Sequence, residues 1–434
     1  MKIKEIIILI LIIAAGSFSY YAHTGKFGFT IDFGEGFFWN LEEFTFEEFQ
    51  EVKLSFPVPS QLQIINSHGE IEIQGTEEEK ITITFQKKIW RKDEEQAREV
   101  SENLKMIVNE DEDLVKITTN RSEFKKKNFH TNFRISIPQG MDIEVDNSYG
   151  LVKASKVGKT KIKNRHGEII LSEVGGELYV ENSYEDIDLE NVQSDCQIES
   201  KHSTVFVKNV KGGTKINHRN GKIYLENISQ KVDIESPHTE IYGYGLKAEV
   251  EVENSYEKIT LHDVGATTIT GHHSEVEVDG VQGDLKITNN HTKANLNNIE
   301  GNIDIKGKSL AISGRKIVGE QISISSSYKN IELTEFSAKT SILNNHGDTI
   351  LDPVFISHPI QVKSEYGAIK FFWPKGKKHP FEARAISGEV KWNLPAEISR
   401  WEEGRTSIVK AFLQEKDKPS VFLSTSYGDI VVKE

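Results

Sequence analysis

A short polar segment recurs along this chain at near-constant spacing, and that recurrence constrains the fold more than any other feature. It reads Asn147-Ser148-Tyr149-Gly150, then Asn164-Arg165-His166-Gly167 and Asn182-Ser183-Tyr184-Glu185. It continues through Asn254-Ser255-Tyr256-Glu257 to Asn344-Asn345-His346-Gly347 and Ser364-Glu365-Tyr366-Gly367. An early copy stands at Asn66-Ser67-His68-Gly69 and a terminal one at Thr425-Ser426-Tyr427-Gly428. From Asn147 onward the spacing is about 18 residues. Between copies the apolar residues alternate: Ile169, Leu171, Val174, Leu178 and Val180 in one unit, then Ile187, Leu189, Val192, Cys196 and Ile198 in the next. Such a unit predicts two short strands joined by polar corners.

One unit cannot stand alone. Ordering it costs roughly 1.5 kcal/mol per residue, while five buried aliphatics return only about 1.5–3 kcal/mol each. Stacked units share backbone hydrogen bonds and merge their apolar interiors. The predicted fold is therefore all-β, a single-stranded β-helix or β-solenoid with coils of about 18 residues. About sixteen turns, at a strand spacing of roughly 4.8 Å, would give a rod roughly 75 Å long.

The flanks differ from the array. Residues 1–22 carry Lys2 and Lys4 before the aliphatic run Ile6–Ala15, which reads as a retained membrane anchor or a cleaved signal peptide. Either places the rest of the chain outside the cytoplasm, membrane-held and single-pass in the first case, secreted in the second. Residues 23–50 are rich in aromatics and acids, among them Phe27, Phe37, Trp39, Phe44, Phe46 and Phe49. They are expected to pack on the first coils, with a membrane-surface or partner-docking segment as the alternative. Residues 51–145 read as an N-terminal β region with a helix over 93–106, N-capped by Asp93. The array proper spans 146–371, and 372–434 reads as an irregular C-terminal cap with one last coil.

A net charge of −13 argues against a nucleic-acid partner. The lone Cys196 excludes an internal disulfide and falls on an inward position.

The anchor, the helix after early strands, the Ile135-Ser136-Ile137-Pro138-Gln139-Gly140 turn and the repeated Asn/Ser-Ser-x-Gly corners resemble a bacterial family. This is the "putative adhesin" or Toastrack family, of unknown function, and the resemblance covers most of Val52–Glu434. It implies a single-stranded right-handed β-helix in a non-catalytic envelope protein, with links to envelope-stress systems. The chain departs from that pattern in its length and in placing His or Tyr where small residues are common. No active site is carried over.

The residues that stand out are rings at the third corner position: Tyr149, His166, Tyr184, His202, His238, Tyr256, His273, His291, Tyr328, His346 and Tyr366. Equivalent positions of stacked coils lie above one another, so these rings are expected to form a surface ladder. The Asn and Ser two residues earlier should form a second, amide-bonded column. The alternatives are a ligand platform or a metal strip, for which His273 and His291 on successive rungs are the candidates. Outward acids such as Glu177, Glu181, Asp186, Asp188 and Glu190 read as solvated faces interspersed with lysines. No catalytic residue, cofactor or metal site is assigned.

The functional expectation is a surface scaffold or adhesin-like binding protein of the cell envelope, non-catalytic, its partner an unknown envelope protein or wall polymer. The alternative is a carbohydrate-active β-helix enzyme, a lyase or hydrolase with paired acids in a groove.

Overall fold

The computed structural model describes residues 41–52, 59–111, 113–376, 378–413 and 418–434. The anchor or signal reading of residues 1–22, and the aromatic segment as far as residue 40, lie outside them. The described chain is a β-solenoid of about 13 turns of roughly 18 residues with a single helix. At about 4.8 Å per turn the stack is about 60 Å long. The expected sixteen turns were too many, because both ends spend residues on antiparallel strands instead of coils.

The repeat sets the register. Leu178 pairs with Cys196, Cys196 with Thr214, and Thr214 with Val232, each in parallel strands. On the other side of the coil Ile169, Ile187, Val205 and Ile223 stand in one column. Ile169, Leu171, Val174, Leu178 and Val180 all point inward and are buried. The step from Leu171 to Val174 breaks strict alternation, and backbone geometry explains it. Glu173 adopts φ +53, and Asn191, Asn209 and Asn227 at the same place adopt φ +60, +57 and +56. This left-handed residue bends the strand so that the next aliphatic turns back into the core. Such a conformation costs on the order of 1 kcal/mol, and asparagine tolerates it best. The three asparagines also bond to one another, Asn209 donating to Asn191 at 3.1 Å and Asn227 to Asn209 at 3.2 Å.

Both ends close by crossing the chain. Gln61–Ile65 lies between Leu114–Thr119 and Asp142–Tyr149, so the first coil in sequence is the second in space. At the other end Val421–Thr425 lies between Ile360–Ser364 and Phe381–Ala385, and Ile430–Lys433 between Ile369–Phe372 and Val390–Trp392. The stretch expected to be irregular thus supplies the outermost coil, and the last residues slide in beneath it. Antiparallel pairs then stop further stacking: Glu42–Val52 on Ile81–Arg91 at one end, Ser399–Glu403 on Thr406–Ala411 at the other. The helix is Glu94–Asn103, shorter than expected because the chain leaves it at Leu104 for the strand Met106–Glu110. The Asp93 carboxylate caps it by accepting from Gln96 N at 2.9 Å. Lys87, fully buried, ties this corner together by donating to the Glu48 carboxylate and to Ser101 O. In the aromatic segment's described part, Phe44 and Phe46 pack on the core while Phe49 is exposed.

Candidate functional site

The corner segment is built from inside outward. Its first residue is buried, and where it is asparagine it serves the backbone. Asn164 Nδ2 donates to Gly150 O at 2.8 Å and to Gly167 O at 3.0 Å. Asn182 repeats the arrangement with Gly167 O at 3.1 Å and Glu185 O at 2.8 Å. These amides bind corner carbonyls of their own and the preceding coil, not one another. The expected amide ladder at this column is therefore corrected, because the buried corner carbonyls need donors first. The glycine that ends the corner is required by close approach: a Cβ on Gly167 would lie 2.0 Å from Gly150 O.

The third residue carries the ring. His68, Tyr149, His166, Tyr184 and His202 form one stack, with centroids 4.5, 4.6, 4.5 and 5.9 Å apart. His238, Tyr256, His273 and His291 form a second, at 4.8, 5.3 and 5.0 Å. Tyr328, His346, Tyr366 and Tyr427 form a third, at 4.5, 4.6 and 4.9 Å. Asn220 interrupts the column between the first two stacks, and Ser309 between the second and third. Except at Tyr184, a ring residue whose corner lacks the glycine takes the left-handed conformation, as at His202 (φ +53), His238 (φ +57) and His291 (φ +65). Its own amide then bonds to the next coil, His202 N to Arg219 O at 2.9 Å. Tyr149, Tyr184, Tyr256, Tyr328 and Tyr366 remain substantially exposed. Because the rings lie almost parallel, they cover each other's faces and present edges to solvent.

His218 is an imidazole that the corner pattern hides. It stands in the inward column, 3% exposed, in register with Ser200 and hydrogen-bonded to it at 2.7 Å. Burial pushes it down to about 4. Cys196 is buried beside that column, and desolvation pushes its thiol up to about 12, far from a reactive thiolate. Among the described residues no group of three or more His, Cys, Asp or Glu is placed to hold a metal ion. His273 and His291 stack without a third ligand.

The outward acids and lysines pair between coils: Lys159–Glu177 at 2.6 Å, Lys163–Glu181 at 3.2 Å, Lys208–Glu226 at 3.1 Å and Lys222–Glu240 at 3.0 Å.

A second aromatic column lies outside the corner pattern. Phe206, Tyr224 and Tyr242 stack at 5.0 and 5.0 Å on an outward strand position. Their equal spacing was the available signal, masked because no shared tetrapeptide surrounds them. They wall an open groove of about 880 Å³ that also meets Asp188, Glu190, Lys208, Glu226 and Tyr244.

Fold and site together define a parallel β-solenoid with laddered rings and ion pairs along its faces. No family model matches the chain, and no curated protein matches it. Among solved structures it is similar to a "putative cell adhesion protein" from Clostridium sporogenes, 10% identical over 90% of this chain and 99% of that one, with a TM-score of 0.15. It is also similar to a "putative adhesin" from Bacteroides fragilis, 11% identical over 89% and 96%, with a TM-score of 0.17. Among the described residues no helix is long and apolar enough to cross a membrane.

Proposed function

We propose that the protein is a non-catalytic, adhesin-like binding rod of a bacterial envelope, akin to the Toastrack family and held at the membrane through residues 1–22, with a place in envelope-stress response. The observation that carries the binding reading is the row of exposed rings repeated at one-coil spacing, as from Tyr149 through Tyr184. A periodic surface of this kind suits a long partner that engages many coils at once, such as a wall polymer or an envelope protein. Lys2, Lys4 and the apolar run after them support the topology. The test is retention of the intact protein on isolated wall polymers, with the size of the polymer followed in parallel. Saturable binding with no new chain ends is expected; failure to bind any envelope component overturns the reading.

The groove favours a second reading, a carbohydrate-active enzyme, through Asp188, Glu190 and Glu226. Burial and the Glu190 charge raise Asp188 above its ordinary value, as a general acid requires. Against it, Asp188 and Glu190 project in parallel from one strand, whereas a hydrolase pair must flank the bond from two sides. New chain ends in the same assay, lost in Asp188→Asn, would promote this reading.

A further inference from the structure

The aromatic strip Phe206–Tyr224–Tyr242 ends abruptly. Asp188 stands in register with Phe206 on the coil before it. Tyr224 covers one face of Phe206, and among the described residues no ring lies against the other. Phe206 is accordingly 41% exposed, while Tyr224 and Tyr242 are half-buried. An aspartate reaches outward less far than a phenylalanine, so the outer part of that free face overhangs the carboxylate. The result is a ledge with an aromatic roof and an acidic floor.

The floor carries no ion pair among the described residues. Glu190 projects two residues further along the same strand, beside Asp188. Among the described residues neither carboxylate has an ion pair or a side-chain hydrogen bond. Lys208 stands in register with Glu190 but reaches the other way, to Glu226 at 3.1 Å. Elsewhere on these faces acids and lysines of adjacent coils neutralise one another. Two unpaired carboxylates beside an open aromatic face attract a cation by Coulomb and quadrupole terms together.

We propose that this ledge is a docking site for an arginine or lysine side chain on an extended segment of a partner protein. The cationic head lies against the free face of Phe206 and pairs with Asp188 and Glu190. The segment then follows the groove past Tyr224 and Tyr242, where its apolar stems meet ring edges. A sugar is the poorer occupant at the ledge, because a pyranose would have to stack on the free face of Phe206 directly over unpaired charge. The proposal rests on the binding-rod reading and narrows the partner there to a basic polypeptide.

The test uses the intact protein and a fluorescent synthetic peptide of alternating Arg and Ser, with Lys-Ser and Glu-Ser peptides as comparators. The Arg-Ser peptide should bind saturably and the Glu-Ser peptide should not. Phe206→Leu, which keeps apolar bulk without a ring face, should weaken binding about tenfold, and Phe206→Tyr should restore it. Asp188→Asn with Glu190→Gln should weaken binding further and flatten its salt dependence. Glu253→Gln, on a strand outside the groove, should change affinity little. Equal binding by the parent and Phe206→Leu, or equal losses from Glu253→Gln and the ledge variants, would mean general attraction to an acidic protein and overturn the site. Retention on wall polymers by the same ledge variants would show that the rod reading survives such a failure.

Discussion

The hydroxyl of Ser200 lies 2.7 Å from Nδ1 of His218, inside the solenoid wall. At this coil an imidazole occupies the column that Asn164 and Asn182 fill elsewhere. Burial, with no hydrogen-bond partner for its Nε2 among the described residues, favours the neutral ring in the folded state.

That site makes stability acid-sensitive. The ring is held at about 4, below its ordinary 6.5, so the folded state binds fewer protons than the unfolded state. The stabilisation is complete above the unfolded value and is lost as pH falls toward the folded one, by up to about 3 kcal/mol. His218→Asn should remove this component, since asparagine satisfies corner carbonyls without titrating. Urea midpoints of both proteins between pH 7 and pH 4 decide it. A parent–variant difference that does not change with pH would refute the assignment. His68 and His130 are also lowered by burial, so the difference between the two proteins is the quantity to read.

Leu171 is 1% exposed and faces the shared interior. Leu171→Ala should cost about 2–5 kcal/mol by cavity formation, and Leu171→Asp more, through an unpaired buried charge. Melting at the parent temperature in Leu171→Asp would disprove the inward register.

His166 lies between Tyr149 and Tyr184 at 4.6 and 4.5 Å, nearly parallel to both. His166→Ala should lose about 0.5–1.5 kcal/mol, and His166→Tyr should keep most of it. Added zinc gives an independent check of the metal-strip alternative. A rise in Tm that vanishes in a His273→Tyr/His291→Tyr variant would replace the stacking account at that pair.

Two glycines should respond differently to alanine. A Cβ on Gly167 would lie 2.0 Å from a backbone carbonyl, which cannot move without parting two coils. Gly167→Ala should cost at least about 3 kcal/mol. Gly140, at φ +77 with open space around it, should cost only about 1 kcal/mol. Comparable losses at both sites would mean that coil-to-coil approach is not the constraint.

A chain ending at Pro419 would lack the coil that lies between Ile360–Phe372 and Phe381–Trp392. The cap aromatics Trp373, Trp392 and Phe412 should then lose their packing, and the truncated protein should bind an apolar dye. A synthetic peptide of residues 420–434 added in trans should reverse this. A truncated protein that melts within about 2 °C of the full chain would contradict the inserted order.

The solenoid, its coil length and its inward columns follow from local pattern alone. Each coil repeats the same local pattern, so Ile169, Ile187 and Val205 come into register without reference to anything distant. The same local pattern also lays out the corner positions that carry rings, because those share a recognisable tetrapeptide. Other features arise only when distant parts of the chain meet. The left-handed bend at Glu173 and Asn191 is a backbone state that apolar periodicity shows only as an uneven step. The bond between His218 and Ser200 exists only because strand pairing sets the two in one buried column. The crossed ends, with Gln61–Ile65 and Val421–Thr425 each slid beneath a coil from another part of the chain, follow from which strand edge remains open when the others have paired. Strand partners far apart in sequence are chosen by backbone hydrogen bonds and shared core, and a local repeat encodes neither.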